Sequence, residues 1–292
     1  MKTTENAAGR YADIDNWSTR ELVDGMVESQ FTAVAAVSGA RADLAKAIDA
    51  IAERLGRTGR LIYLGAGTSG RIGAQDGAEL PPTFNWPYER AVTLMAGGPG
   101  ALVKAVENAE DSITAAAEGL DGLGLTRTDV VIGLAASGST PYVVAGLEHA
   151  RRKGALTIGM LNSPGGRVWA VADIAILLDT GPEFLAGSTR MKAGTSQKVA
   201  LNIISTGVMI RLGFVYRGKM VEMRATNAKL RERSVRMVSE LTGAAPELAR
   251  QTLEQADGVI KLATVMLLKS LDRKAAEAAL AAAGGNLRKA LA

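Results

Sequence analysis

Five short apolar runs, at residues 61–64, 91–95, 130–134, 156–160 and 174–178, constrain the fold of this chain more than any other feature. The runs are mostly apolar without polar alternation, and helix-compatible segments separate them. Strands of that kind are covered on both faces, so the pattern predicts an α/β fold with a five-stranded parallel sheet. Ligands in such sheets bind at the carboxyl ends of the strands. Two of those ends are rich in small and hydroxyl residues.

The first run leads into Gly65-Ala66-Gly67-Thr68-Ser69-Gly70, followed by a helix-compatible stretch that meets Pro81-Pro82. This reads as strand, glycine loop and helix. Glycines allow the tight turn, while the free N–H groups and positive end of the helix favour an anion. Thr68 and Ser69 add hydroxyls there. The residue before a proline disfavours helix, so the helix is expected to stop before Leu80, with Glu79 in its last turn or just past it. In that position the negative dipole end raises a carboxyl pKa and favours a proton-donating form; a merely solvated carboxylate is the plainer reading. The second end is Ala135-Ala136-Ser137-Gly138-Ser139-Thr140, and Pro141 then suits the first turn of a helix running to about Lys153. Ser137 and Thr140 stand at this helix start either as plain N-caps or as a second anion cradle on the same sheet edge.

After Gly97-Gly98-Pro99-Gly100, apolar residues recur at Leu102, Val103, Val106, Ile113, Ala117 and Leu120. Read as a helix, this places Glu110 within the apolar stripe, where a carboxylate needs a partner or a purpose. A buried salt bridge or a subunit-edge position is the alternative.

Composition narrows the chemistry. There are no cysteines and one histidine, His149, which excludes thiol nucleophiles, disulfides and multi-histidine metal sites. His149 itself reads as a helix-face residue, so proton transfer falls to carboxylates. The net charge of +4 is interspersed, with a local basic bias only at residues 229–236, and aromatics make up 4%. Nucleic-acid binding is not expected from so few stacking residues, and a small anionic substrate is. The N-terminus lacks the apolar core of a signal peptide and no run of eighteen apolar residues occurs, so the expectation is a cytoplasmic protein that does not span a membrane. Gly65, Gly67 and Gly70 also fit a dinucleotide-binding fingerprint. That motif expects an acidic residue at the end of the next strand, where this chain has Met95-Ala96-Gly97-Gly98, with Glu89 lying before the strand.

Around the sheet, Ser18-Thr19-Arg20-Glu21 reads as a capping box opening a helix, and a second helical pattern runs over residues 44–55 to Gly56. These form a helical lead-in over residues 1–55, ahead of a sheet domain over 56–218. A helical pattern reaches Leu212, residues 220–238 are expected to continue helically, and breaks at Pro246, near Asp272 and at Gly284-Gly285 mark short helices of a small bundle within 219–292.

The loops GAGTSG and ASGST resemble the sugar isomerase (SIS) domain that binds phosphosugars. More narrowly, LGAGTSGRIGAQDGAELPPTF, AVENAED, GPEFLAGSTRMKAGTSQK, STGVMIRLG, ATNAKLRER and AGGNLRKAL are similar to the N-acetylmuramic acid 6-phosphate etherase family over most of the chain. The resemblance implies a flavodoxin-like SIS domain with a small C-terminal helical, UBA-like domain, acting as a homodimer with its site at the subunit interface. It implies cleavage of the lactyl ether at C3 of the phosphosugar, giving N-acetylglucosamine 6-phosphate and D-lactate, with no cofactor and no metal. The family's two catalytic glutamates match Glu79 and Glu110, and its phosphosugar-binding loops match Gly67, Thr68, Ser69, Ser137, Gly138, Ser139 and Thr140. Gly77-Ala78 and Ser139 depart from the pattern, where many relatives read Ala-Ser and Arg.

The implied chemistry needs two carboxylates in opposite protonation states. A base removes the C2 proton, which the C1 aldehyde of the open-chain sugar makes acidic, while an acid protonates the departing ether oxygen; water then adds at C3. Glu79, by its dipole position, is assigned as acid and Glu110 as base, with the reverse order open. A regulatory sugar-phosphate-binding SIS protein and an aldose–ketose phosphosugar isomerase are the rival readings.

Overall fold

The computed structural model describes residues 3–56, 58–225 and 227–292. Met1 and Lys2 of the polar N-terminal stretch, Arg57 and Thr226 of the ATNAKLRER motif lie outside the described residues. The chain divides into two compact units, one of residues 1–78 and 88–206, the other of residues 79–87 and 207–292.

The first unit opens with α1 (Thr19–Gly39) and α2 (Arg41–Leu55). The capping box is present as expected: Ser18 Oγ accepts from Glu21 N–H, and the Glu21 carboxylate accepts from Ser18 N–H. Helix α1 buries Gly25, Ser29, Ala33 and Val37, while α2 buries Leu44, Ala47, Ile51 and Leu55. A second stripe on α1, Val23, Val27, Phe31 and Val34, is solvent-exposed, Phe31 to 72%.

Next come β1 (Leu61–Gly65), α3 (Gly67–Phe84), β2 (Ala91–Met95), α4 (Ala115–Gly122), β3 (Val130–Ala135), α5 (Pro141–Arg152), β4 (Leu156–Leu161), α6 (Val168–Val171), β5 (Ile174–Leu177) and α7 (Lys192–Arg211). The strands match the five apolar runs to within a residue and form one parallel sheet in the order β2-β1-β3-β4-β5. All residues of β1, β3 and β4 are buried, which accounts for their lack of alternation. The strand order reverses between β1 and β3, and the crevice at such a switch point is where open α/β sheets bind ligands.

Two expectations are overturned here. Helix α3 does not stop before Leu80; it runs through Pro81 and Pro82 to Phe84. Two adjacent prolines within the last turn remove only their own two N–H donors, and Asn85 N–H still reaches Pro81 O at 2.9 Å. Glu79 is therefore followed by another turn of helix, and the argument from a terminal dipole does not apply to it. The segment after β2 is likewise not a continuous helix. It makes two 3-10 turns, Pro99–Leu102 and Ala109–Asp111, before α4, with Asn108 at φ 57° between them. Val103 and Ile113 are 85% and 69% exposed, so the apolar recurrence there is not a core-facing stripe.

The second unit contains a hairpin, β6 (Val215–Tyr216) and β7 (Lys219–Met220), closed through Arg217 and Gly218, both at positive φ as a two-residue hairpin turn requires. This hairpin, with the segment after it, replaces the helix expected from residue 220. Helix α8 (Ala228–Thr242) starts only where the Asn227 side chain accepts from Leu230 N–H. Then follow α9 (Pro246–Gln255), α10 (Ile260–Lys269), α11 (Arg273–Ala282) and α12 (Leu287–Leu291), broken where Pro246, Asp272 and Gly284-Gly285 predict and also, between α9 and α10, at Asp257-Gly258, both at positive φ. Val238, Leu241, Ala249, Ile260, Ala263, Val265, Ala276 and Leu287 are among the residues of its core. Among the described residues, no helix is long and apolar enough to cross a membrane.

Candidate active site

At the switch point, Gly65 and Gly70 pack backbone against backbone; a Cβ on Gly65 would lie 2.7 Å from Gly70 Cα. That approach brings the start of α3 close against the end of β1, and the first N–H groups of a helix have no intrahelical acceptor. Past β3, Gly138 turns at φ 68°, so the chain can enter α5 at Pro141. Ser137 Oγ accepts from Ser139 N–H at 3.2 Å and lies 3.5 Å from Thr140 Oγ1. Thr140 is the N-cap of α5 by position, yet its side chain makes no capping hydrogen bond. The plain-cap reading of Thr140 therefore fails, and its hydroxyl remains available.

These two loops enclose a cavity of about 350 Å³, within the range of small-molecule sites. It is lined by Gly67, Thr68, Ser69, Ser137, Ser139 and Thr140, together with Glu110, Asp111, Glu5, Gly187 and Thr189. The structure thus brings six of the seven expected binding residues together with Glu110, and Gly138 supplies the turn between two of them. Glu110 is positioned by the second 3-10 turn, which is exposed, and also borders the adjoining hollow beside Arg71. The Arg71 guanidinium holds the start of that loop, donating to Ala101 O at 2.9 Å and Leu102 O at 3.1 Å. Glu79 is exposed and is not among the residues that line the cavity.

Helix α3 is pinned at mid-length. Asp76, 1% exposed, accepts from Tyr63 Oη at 2.8 Å, Asn202 Nδ2 at 2.7 Å and Ser205 Oγ at 3.2 Å. Burial, reinforced by the charge and hydrogen bond of Asp76, holds the Tyr63 phenol well above its ordinary pKa. Tyr142, in the first turn of α5, is pushed up to about 12 by burial, so it stays neutral.

Four residues here escaped the reading of the sequence. Glu183 is buried, and its carboxylate accepts from Lys192 N–H and Ala193 N–H, both at 2.9 Å, capping α7 and anchoring the loop that carries Gly187 and Thr189. Burial lowers the Lys192 ammonium, with Glu183 opposing. Thr189 reaches the cavity from a loop, and Asp111 and Glu5 reach it from single 3-10 turns too short to leave a periodic pattern in the sequence. The signal that could have found Glu183 is its place in the long GPEFLAGSTRMKAGTSQK motif; Glu5 carried none. His149 lies on α5 as expected, 2.9 Å from Asp121, which also meets Lys153 at 2.8 Å. Among the described residues, no cluster of three or more His, Cys, Asp or Glu is arranged to hold a metal.

The fold has recognisable counterparts. Residues 43–151 match the family described as the glucokinase regulatory protein N-terminal SIS domain, and residues 114–207 match the SIS domain. A solved structure from Bacteroides fragilis, assigned as a phosphosugar isomerase involved in capsule formation, aligns with a TM-score of 0.53 at 19% identity, covering 70% of this chain and 98% of that one. Curated relatives are far closer in sequence. Proteins named N-acetylmuramic acid 6-phosphate etherase are 46% identical in Deinococcus radiodurans (99% of this chain, 95% of the relative) and 48% in Mycolicibacterium smegmatis (99% and 97%). One from Cronobacter sakazakii is 50% identical over 96% of this chain and 94% of its own length. Identity at this level along nearly the whole length means that the chain belongs to the N-acetylmuramic acid 6-phosphate etherase family.

Proposed function

We propose that this chain is a carbon–oxygen lyase that cleaves the lactyl ether of N-acetylmuramic acid 6-phosphate, giving N-acetylglucosamine 6-phosphate and D-lactate by elimination and rehydration. The observation that carries the reading is the single cavity in which hydroxyls and helix-start N–H groups from two loops meet the carboxylate of Glu110. The phosphate takes the hydroxyl end, at Thr68, Ser69, Ser137 and Thr140. Glu110 then stands over the sugar as the base for the C2 proton, a role worth about 10²–10⁴ in rate.

The second carboxylate, Glu79, comes from another copy of the chain. Glu79 is twelve residues beyond Gly67 on one helix, so at 1.5 Å per residue it is about 18 Å from the phosphate end, farther than a hexose phosphate spans. A homodimer with shared sites resolves this: one protomer binds the phosphate and presents Glu110, its partner presents Glu79 as the acid. The exposed apolar stripe Val23, Val27, Phe31 and Val34 supports self-association. A cytoplasmic setting suits a substrate whose phosphate charge keeps it from crossing membranes unaided.

The test is release of lactate from N-acetylmuramic acid 6-phosphate, with deuterium from solvent at C2 of the product. No lactate defeats the reading; lactate without deuterium points to direct displacement. Mixing inactive Glu79→Gln and Glu110→Gln chains tests the sharing. Random pairing makes half the dimers mixed, each with one intact site of two, so activity should return to about a quarter of normal. A site built within one protomer returns none.

A further inference from the structure

The N-terminal 3-10 turn Thr3–Glu5 is anchored to the sheet edge by its middle residue. Thr4 is fully buried; its Oγ1 lies 3.2 Å from Ser163 Oγ, just past β4, and its carbonyl accepts from Gly187 N–H at 3.1 Å. Two loops of the carboxyl edge thus hold the backbone one residue away from Glu5. The Glu5 side chain lines the same cavity as Ser69, Ser137 and Glu110. Its Oε2 lies 3.5 Å from where a Cβ on Gly187 would stand, so the carboxylate rests beside the loop that Glu183 anchors. Among the described residues, no hydrogen-bond or ion-pair partner of that carboxylate is found.

A fixed carboxylate cannot face the phosphate in a cavity whose other wall is built for an anion. It accepts hydrogen bonds only, with about four lone-pair sites, so it calls for a ligand anionic at one end and rich in O–H or N–H donors at the other. We infer that Glu5 is a substrate-binding residue that accepts hydrogen bonds from the hydroxyl or amide N–H donors of the sugar, and so fixes the ring over Glu110. This rests on the phosphosugar reading of the cavity. The N-terminal turn is therefore part of the site wall, not a tail ahead of the fold.

Calorimetry on the full chain and on Glu5→Gln and Glu5→Ala tests this without requiring turnover. The probes are N-acetylglucosamine 6-phosphate, glucose 6-phosphate and inorganic phosphate. Glu5→Ala should weaken both sugar phosphates by about 10-fold or more, the usual loss for hydrogen bonds to a charged group, with Glu5→Gln in between. Inorganic phosphate should bind as well as before or better, because a negative charge has gone. A larger loss for the acetamido sugar assigns the bond to the amide; equal losses assign it to hydroxyls. In turnover, KM should rise with kcat held within about threefold, since the loss is one of binding. Sugar-phosphate affinity within twofold of wild type in both variants overturns the inference, as does a parallel loss for inorganic phosphate or a wild-type chain that binds neither sugar phosphate. Failure of the wild type to release lactate, with these affinities shifting as stated, counts against the etherase reading alone.

Discussion

The two ends of the central sheet use polar residues in opposite ways. At the amino end, Asp129 is 1% exposed and every acceptor site near it is occupied: it takes hydrogen bonds from the backbone and guanidinium of Arg60 and from the backbone and hydroxyl of Thr126, at 2.7–3.1 Å. At the carboxyl end, Glu5, Glu110 and Asp111 have no such partners among the described residues, and the Thr140 hydroxyl caps nothing. The same strands connect both sets. A satisfied polar group holds β1 to β3; an unsatisfied one is open to a ligand. Burial and hydrogen bonding run together in these carboxylates: Asp76, Asp129 and Glu183 are buried with their acceptor sites filled, whereas Glu5, Glu110 and Asp111 are exposed.

The sharpest way to break this contrast is to neutralise one carboxylate at each end. Glu110→Gln should lower lactate release by about 10²–10⁴ and abolish C2 exchange with solvent, while leaving the melting temperature unchanged. A large loss of stability in that variant would mean that the open end is structural after all. Asp129→Asn should do the reverse. It leaves Arg60 facing a neutral, poorly matched partner and should cost about 3 kcal/mol of stability by chemical denaturation, with KM and kcat of the folded fraction unchanged.

The Asp129 contrast also has a pH form. Burial pushes its carboxyl up, but the Arg60 hydrogen bond and charge, with the backbone donors of Thr126 and Arg60, bring it below its ordinary value overall. A depressed folded pKa means that the unfolded chain takes up the proton first as pH falls. The contribution is therefore complete above the unfolded value near ~3.9 and is lost as pH falls through the lower folded value. The gap in stability between wild type and Asp129→Asn should start to close as pH falls below about 4 and vanish only below the lower folded value. A gap that persists there would detach stability from this pair. The smallest effect is expected at Ser137, whose hydroxyl is one of several lining the cavity where the phosphate is proposed to bind. Ser137→Ala should weaken phosphosugar binding by about 1–2 kcal/mol, and unchanged affinity would move the phosphate elsewhere.

Much of the scaffold was legible because burial on both faces leaves a pattern that chance rarely makes. The five apolar runs located the strands, and the two hydroxyl-rich loops located the cavity. What failed were inferences from helical rules applied one residue at a time. Leu80 before Pro81 looked like a helix end, but a proline late in a helix loses few bonds, and Leu80 and Phe84 bury their side chains to carry the turn onward. The recurrence from Leu102 to Leu120 looked like a core stripe, but Asn108 in the left-handed region splits it into separate turns. Glu110 was thus singled out for a burial it does not have, although it does line the cavity. Glu5 was invisible because its place depends on Thr4 meeting Ser163, a contact between residues 159 positions apart.

Helix α3 carries Thr68 and Ser69 in its first turn and Glu79 toward its other end, a rod fastened midway by Asp76 to Tyr63, Asn202 and Ser205. If the rod is too long to serve one sugar with both ends, working sites exist only in paired chains. The rate per chain then depends on how many chains are present: far below the dimer dissociation constant, total turnover should scale with the square of chain concentration. Each chain would act as the missing subunit of its neighbour, and dilution would by itself be a form of inhibition, with no ligand required.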